Sequence, residues 1–305
     1  MDSSDNPEDP GPIGGQALIE GVMMRRGERW GAAVRQPDGS ITTTSRALPA
    51  ALAPWRKVPV ARGVLALGES AGLGTRAMLW AAGERNDPAE GDGFSKVGLV
   101  LSTVVAAVLA LGLFGLMPAA VAKGLGLEGR VLFNLVEGLI RLGVLVGYLL
   151  LLGRSPEVRR VFAYHGAEHM TIHAFEHRVP LEPTAIRTFD RRHPRCGTSF
   201  LLIVVMVTVA AHIVIGTPSW GVLVASRILG LPIVAGLSYE VIRFAGRHQT
   251  TLLGRMLMTP GYWLQGITTR EPDDDQIEVA VAALHATVTS GAPVPGPVPV
   301  PAVGT

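Results

Sequence analysis

The chain has 305 residues and a net charge of +2, with 48% apolar residues, 17% charged residues and a mean hydropathy of +0.34. That apolarity is high for a soluble globular protein and directs attention to membrane spans, while the near-neutral charge argues against a nucleic-acid partner. A single cysteine excludes an internal disulfide framework and a Cys-rich zinc module.

Residues 1–12 are acidic and Pro-rich and read as a disordered N-terminus, unlike a secretory signal. Residues 13–96 read as a β unit followed by an amphipathic segment. GGQALIEGVMM, GAAVR and ITTTSR are β-tolerant runs, and QPDGS between the last two supplies a hairpin turn. Residues 58–82 fit an interfacial helix with Arg62, Glu69 and Arg76 on its polar positions.

Transmembrane helices one and two are expected within 97–153. Residues 97–116 are uncharged and long enough to cross a hydrocarbon core; 131–152 are nearly as apolar but hold Glu137 and Arg141. Residues 154–198 form a polar, His-rich helical loop. Ser155 as N-cap, Pro156 at the first helical position and Glu157 in the first turn start a helix that runs through His177. A short helix in LEPTAIRTFDRR and the loop HPRCGTS follow.

Helices three and four occupy 199–244, as 200–216 and 220–244, the latter carrying Arg227, Pro232, Glu240 and Arg243. Residues 245–290 form a helical C-terminal region. Its EPDDDQIEVAVAALHATV is acidic in the first turn and carries an apolar stripe of Ile277, Val281, Leu284 and Val288. Residues 291–305 read as a disordered Pro-rich tail. The predicted fold is mainly α: a polytopic membrane protein with about four transmembrane helices, a helical His-rich segment and a small N-terminal β unit. A soluble protein with buried core helices is the competing reading, and the uncharged first run weighs against it.

Eight arginines, from Arg154 to Arg195, lie between helices two and three, and none lies in the turn between three and four. By the positive-inside rule, both termini and the His-rich loop are expected in the cytoplasm of a cell-membrane protein. Within that loop YHGAEHMTIHAFEH spaces His165, His169, His173 and His177 at intervals of four, with Glu168 and Glu176 among them. On a helix the histidines share one face, and two imidazoles at i and i+4 can serve one ion. HGAEH also fits H-x-x-E-H, in which both histidines hold zinc and the glutamate is the general base. For any one histidine, a solvated helix face is the plainer explanation.

The expectation is a divalent transition ion of the zinc class on His165 and His169, completed by His173 or His193, with Glu168 as general base. Cys196 is a candidate thiolate ligand, or a nucleophile with His193 as its base; a small buried residue at a helix start is its alternative. Glu240 returns to the same boundary and is a further candidate partner. Within the spans, Glu137 is expected to pair with Arg141 or Arg227 near His212, as a structural tie before a proton or anion pathway.

These motifs carry a resemblance. PIGGQALIEGVMMR, VRQPDGSI, HGAEH, HPRCGTSF, LSYE and LQGITTREPDDDQIEVA, spread over residues 12–285, are similar to those of the YqhQ-like family of bacterial membrane proteins, which are described as predicted metal-dependent enzymes of unknown function. The resemblance implies a multi-span membrane protein with its motifs gathered on one side. Met170 stands after HGAEH where the family is expected to favour lysine. Gly14 and Gly15 fit either a close backbone approach to an anion or simple turn geometry, and Arg270 with Glu271 fit a structural ion pair before a role in orienting the site.

The leading expectation is therefore an integral membrane, metal-dependent and hydrolytic enzyme acting at the cytoplasmic face. Membrane lipids surround it, its substrate is unspecified, and a homo-oligomer stays open. The rival is a non-enzymatic transporter or assembly factor that uses the histidines for proton relay or structural metal binding.

Overall fold

A computed structural model describes residues 13–48, 57–85, 96–216 and 219–288, so the expected disordered ends lie outside the described residues. Strands β1 (Ile13–Leu18), β2 (Gly21–Arg26), β3 (Arg29–Arg35) and β4 (Ile41–Ala47) form one antiparallel sheet in sequential order. GGQALIEGVMM reads as a single run but folds as a hairpin, turning at Glu20, whose φ is 55°. The QPDGS turn forms as expected. Gly39 takes φ 86°, and the Ser40 backbone N–H donates to the Asp38 carboxylate at 2.9 Å.

Eleven α-helices follow among the described residues: α1 (Ala61–Arg85), α2 (Lys96–Ala110), α3 (Met117–Gly124), α4 (Arg130–Leu152), α5 (Pro156–Glu176), α6 (Pro183–Ile186), α7 (Gly197–Ile215), α8 (Trp220–Leu229), α9 (Leu231–Arg247), α10 (Leu252–Thr268) and α11 (Asp274–Val288). Helices cover both faces of the sheet, which explains why β2 and β3 are nearly continuous apolar runs. On one face Val22, Met24 and Ala33 pack with Tyr164 and Met170 of α5 and with Ile277 and Leu284 of α11. Gly31 permits this, because a Cβ there would lie 2.6 Å from the Thr287 nitrogen. On the other face Met23, Trp30 and Val34 pack with Leu73, Ala77 and Ala81 of α1.

The interfacial-helix expectation for 58–82 therefore needs refining. One half of α1 is a layer on the sheet. Its other end is tied to α9, where Arg62 Nε donates to Glu240 Oε1 at 2.7 Å and Gly63 abuts Gly236. Glu240 is thus engaged by an arginine.

Three helical segments are long and apolar enough to cross a membrane: Val100–Gly124, Arg130–Leu152 and Gly197–Ile215. A fourth exists if α8 and α9, bent by 51°, count as one span. The bend falls at Gly230, where a Cβ would strike the Ser226 carbonyl, next to Pro232. The first span runs past the expected end at 116 to Gly124, despite Pro118. A π-helical turn, Leu111–Leu116, joins α2 to α3, with the Met117 N–H donating to the Gly112 carbonyl. Pro118 has no N–H to offer Phe114, and Arg141 Nε donates to that free carbonyl instead, at 2.8 Å.

The same arginine joins a buried cluster. Glu137, 1% exposed, takes Arg227 Nη2 on its two oxygens at 2.7 Å each and also pairs with Arg141; His212 contacts Arg227. The expected pairing thus forms with both arginines at once. Removing the carboxylate would leave two guanidinium groups facing each other in an apolar bundle. Breaking a buried ion pair from one side costs about 3–5 kcal/mol. Glu137→Gln is expected to lower the thermal unfolding temperature of the purified protein sharply while leaving its metal content unchanged, measured by thermal shift and elemental analysis.

Candidate metal centre

Helix α5 is the element on which the site is built. A solvated polar face would leave its charged groups in water, yet Glu168 is 3% exposed and His169 2%. The sheet, α11 and the C-terminal end of α10 enclose this part of the helix. Gly166 makes the last contact possible: the Arg270 carbonyl lies where a Cβ would be, and the Arg270 N–H donates to the Phe162 carbonyl at 2.8 Å. The TTREPDDD motif thus serves through its backbone, while Glu271 faces Arg191 at 3.8 Å.

Buried imidazoles need partners for their N–H groups. His165 Nδ1 lies 2.9 Å from the Thr268 carbonyl and His169 Nδ1 lies 2.6 Å from the Arg191 carbonyl. A carbonyl only accepts, so each Nδ1 carries the proton and each Nε2 keeps its lone pair. His165 Nε2 lies 3.2 Å from Cys196 Sγ, and His169 brings a ring nitrogen to the same place. The ligand atoms of His165, His169 and Cys196 all lie within 4.8 Å of one another. Two neutral imidazoles oriented by carbonyls and one thiol are donors suited to a zinc-class ion, with three protein ligands leaving an open position.

The protonation tendencies agree with that donor set. Burial holds His169 below the usual imidazole range, favouring the neutral, ligating form. Burial also acts to raise the Cys196 thiol, but a proton shared with His169 and the hydrogen bonds from Thr198 outweigh it and hold it below the ordinary thiol range. Cys196 is the N-cap of α7: the Thr198 N–H donates to its sulfur at 3.4 Å, and the Thr198 hydroxyl lies 3.1 Å away.

Glu168 flanks the trio. Burial pushes its carboxyl up to about 8, against the opposing pull of His165 and of a hydrogen bond from the Gly15 backbone. Its Oε2 has no hydrogen-bond partner among the described residues, so one oxygen remains available. A Cβ on Gly15 would stand 2.7 Å from Glu168 Oε1 and 2.5 Å from the Met23 carbonyl. Of the two explanations for the paired glycines, Gly15 takes the close backbone approach, and the group approached is the Glu168 carboxyl.

The other expected ligands gather elsewhere. His173 is near the surface, with Nε2 3.0 Å from the Arg192 carbonyl. His193 is buried beside it, with Nε2 3.7 Å from Glu176 Oε2, and its Nδ1 accepts the Arg195 N–H at 3.2 Å. The structure brings His165 and His169 together with Cys196, and leaves His173 and His193 in a neighbouring group with Glu176. The Cys196 side chain accordingly sits with His165 and His169, and it meets His193 only through the backbone, where the Cys196 N–H donates to the His193 carbonyl at 3.3 Å. Sequence reasoning missed Gln265. From α10 it accepts the His193 N–H at 2.7 Å and donates to the His193 carbonyl and to Ser199 Oγ, so it clamps the HPRCGTS loop. The available signal was a lone amide in the apolar helix LLGRMLMTPGYWLQGIT. An open cavity of about 920 Å³ reaches His165 and Cys196 from between β1, β2, α1 and the ends of α4 and α7.

A family model described as "Protein of unknown function (DUF1385)" matches residues 58–290. A protein printed as "Uncharacterized protein YqhQ" of Bacillus subtilis (strain 168) is 32% identical over 298 residues, covering 90% of this chain and 92% of that protein. The chain belongs to the YqhQ-like DUF1385 family. No solved structure matches it. In this member Met170 is a 1%-exposed core residue, packed with the sheet and α11, so methionine after HGAEH fills an apolar site.

The two glycines of the GGQ motif separate cleanly by experiment. Gly15→Ala is expected to displace Glu168 and strain the β1–β2 pairing, at about 1–3 kcal/mol for such overpacking. Gly14→Ala, with nothing within 4 Å of its Cβ, is expected to match wild type. Thermal unfolding and complementation of a deletion strain check both.

Proposed function

We propose that the protein is an integral membrane, metal-dependent hydrolase whose site lies at the cytoplasmic membrane face. The observation carrying this reading is the convergence of two carbonyl-oriented imidazoles and a thiol beside a buried, half-satisfied carboxyl group. His165 Nε2, His169 Nε2 and Cys196 Sγ would hold the ion. A zinc-class ion there supplies Lewis acidity toward a water or a substrate carbonyl.

The chain's own groups provide the proton handling. Glu168 Oε2 is the free acceptor, and the Gly15 N–H fixes the opposite oxygen, so the carboxyl can take a proton at one defined atom. Burial, which raises its pKa to about 8, keeps the carboxyl largely protonated at neutral pH, and a cation held by His165, His169 and Cys196 would favour the ionised form that accepts a proton. The Thr268 and Arg191 carbonyls keep both rings in one tautomer, so the imidazoles serve as ligands and leave acid–base work to Glu168. Thr198 steadies the sulfur of Cys196.

The non-enzymatic reading draws on the charges within the candidate spans. Glu137 pairs with both Arg141 and Arg227, and His212 contacts Arg227, which supports a tie between helices more than a pathway. Orientation follows from the arginine distribution, with both termini inside.

Three measurements test the proposal. Purified wild type should retain about one zinc-class ion per chain, and His165→Ala with His169→Ala should abolish retention without preventing membrane insertion. Glu168→Gln should keep the metal yet lose complementation by at least about 100-fold, as expected on removing a general base. An unaltered Glu168→Gln phenotype removes the proton role. In intact cells, a label near Glu182 should be protected and one at Ser219 reached from outside; the reverse pattern defeats the cytoplasmic assignment.

A further inference from the structure

The cavity in front of the metal ligands is unlike a polar-metabolite pocket. Its walls are mainly apolar: Leu67 and Leu73 from α1, Leu149 from the last turn of α4, and Phe200 and Leu201 from the first turn of α7. His165, Cys196 and Thr198 form one polar group in this lining, while the Gln16 side chain of β1 lies against Gly74 of α1. Arg25 and Arg195 also line it, but each already has an acidic partner, Glu69 and Glu176 respectively. The lining therefore offers no unneutralised basic cradle for a highly charged soluble molecule.

Its position is equally informative. Leu149 and Leu201 belong to two of the three segments able to cross a membrane, and Leu201 is itself an exposed residue. Beside Leu149, Leu150 and Leu151 are exposed as well. The apolar wall is thus continuous with the surface that faces the hydrocarbon in a membrane-spanning reading of α4 and α7. A volume of about 920 Å³ is at the large end for a small-molecule site. An aliphatic chain leaving the bilayer could follow this wall without crossing water, and its polar end would then stop at the metal ligands.

We propose that the cavity binds a membrane amphiphile, with an aliphatic chain along Leu67, Leu149 and Leu201 and its polar end at His165 and Cys196. The assignment rests on the hydrolase reading for its purpose, since it names the substrate class of that site. Binding itself depends on the walls.

Ser70 of α1 is exposed, small and part of the lining, so its replacement can fill the cavity without entering the core. The experiment uses the full-length protein in detergent-free polymer discs, with palmitoyl-lysophosphatidylcholine and the chainless glycerophosphocholine as probes. Wild type and Ser70→Ala should bind the lysolipid saturably, and Ser70→Trp should bind it at least about tenfold more weakly, a change of about 1.4 kcal/mol. Metal content should be equal in all three. Glycerophosphocholine should neither bind nor compete. Equal lysolipid binding by Ser70→Trp, or effective competition by the chainless headgroup, would overturn the assignment. The His165→Ala, His169→Ala variant separates the two readings. Its lysolipid binding should persist without metal, so the absence of metal from wild type would sink the hydrolase reading alone. Failure of cavity-dependent lysolipid binding in metal-bearing wild type would sink this one alone.

Discussion

The packed stretch of α5, from Ala163 to Ala174, can hold imidazoles only where their N–H groups find acceptors. That constraint on α5 organises the protein. His169 is buried and His165 partly buried beside it, and an unmet imidazole N–H there costs on the order of 1–3 kcal/mol. Two backbone carbonyls meet it, one from the end of α10 and one from the loop before α7. These elements are far apart in sequence, so satisfying two hydrogen bonds draws residues 191 and 268 to the same helix. The loop between α6 and α7 is then held by Gln265, and Cys196 arrives opposite the two free imidazole nitrogens. The metal-ligand geometry is a consequence of paying the buried helix's polar costs.

Much of this was legible in the residues. Four-residue spacing put the histidines on one helix, the Ser-Pro-Glu start located that helix, and the Pro-Asp-Gly turn located the β3–β4 hairpin. What remained illegible was tertiary. Periodicity ranks His165, His169 and His173 as equals, since all share a face; only packing decides that His169 points inward and His173 outward. Cys196 had two readings in the sequence, and the choice of His165 and His169 as its neighbours depends on a loop whose path Gln265 sets. The β1–β2 turn was hidden because Ile19 and Glu20 continue a plausible strand, while Glu20 adopts a positive φ that sequence seldom announces. The fourth apolar stretch, read as one span, is broken where Gly230 and Pro232 together disfavour a straight helix.

Two buried ionisable clusters coexist and they solve the same problem differently. In the bundle, one carboxylate faces two guanidinium groups, Arg141 Nε finds a carbonyl that a proline has left free, and Arg227 Nε has no partner among the described residues. Charge is met there by opposite charge. At α5 the carboxyl of Glu168 meets only a backbone N–H and neutral rings, and burial raises its proton affinity instead. The first arrangement fixes helices; the second leaves a group whose charge state is free to change. That contrast supports a structural role for Glu137 and a chemical one for Glu168.

The position of Cys196 links these two regions. As N-cap of α7 it begins one candidate span, and its sulfur receives the Thr198 N–H in the place where a capping oxygen usually sits. The partial positive charge of a helix N-terminus favours the thiolate, the form that ligates metal. Any axial shift or tilt of α7 in a bilayer would move the sulfur relative to the two imidazoles on α5. Gly261 of α10 resists such movement, because its missing side chain lets Ser199 sit directly against the helix, and Gln265 holds the same serine one turn later. The sheet, α5 and α10 therefore act as a frame, and the start of a candidate span is clamped into it. In this arrangement the third candidate ligand comes from the segment that also lines the cavity, so ligand geometry and cavity shape cannot vary independently.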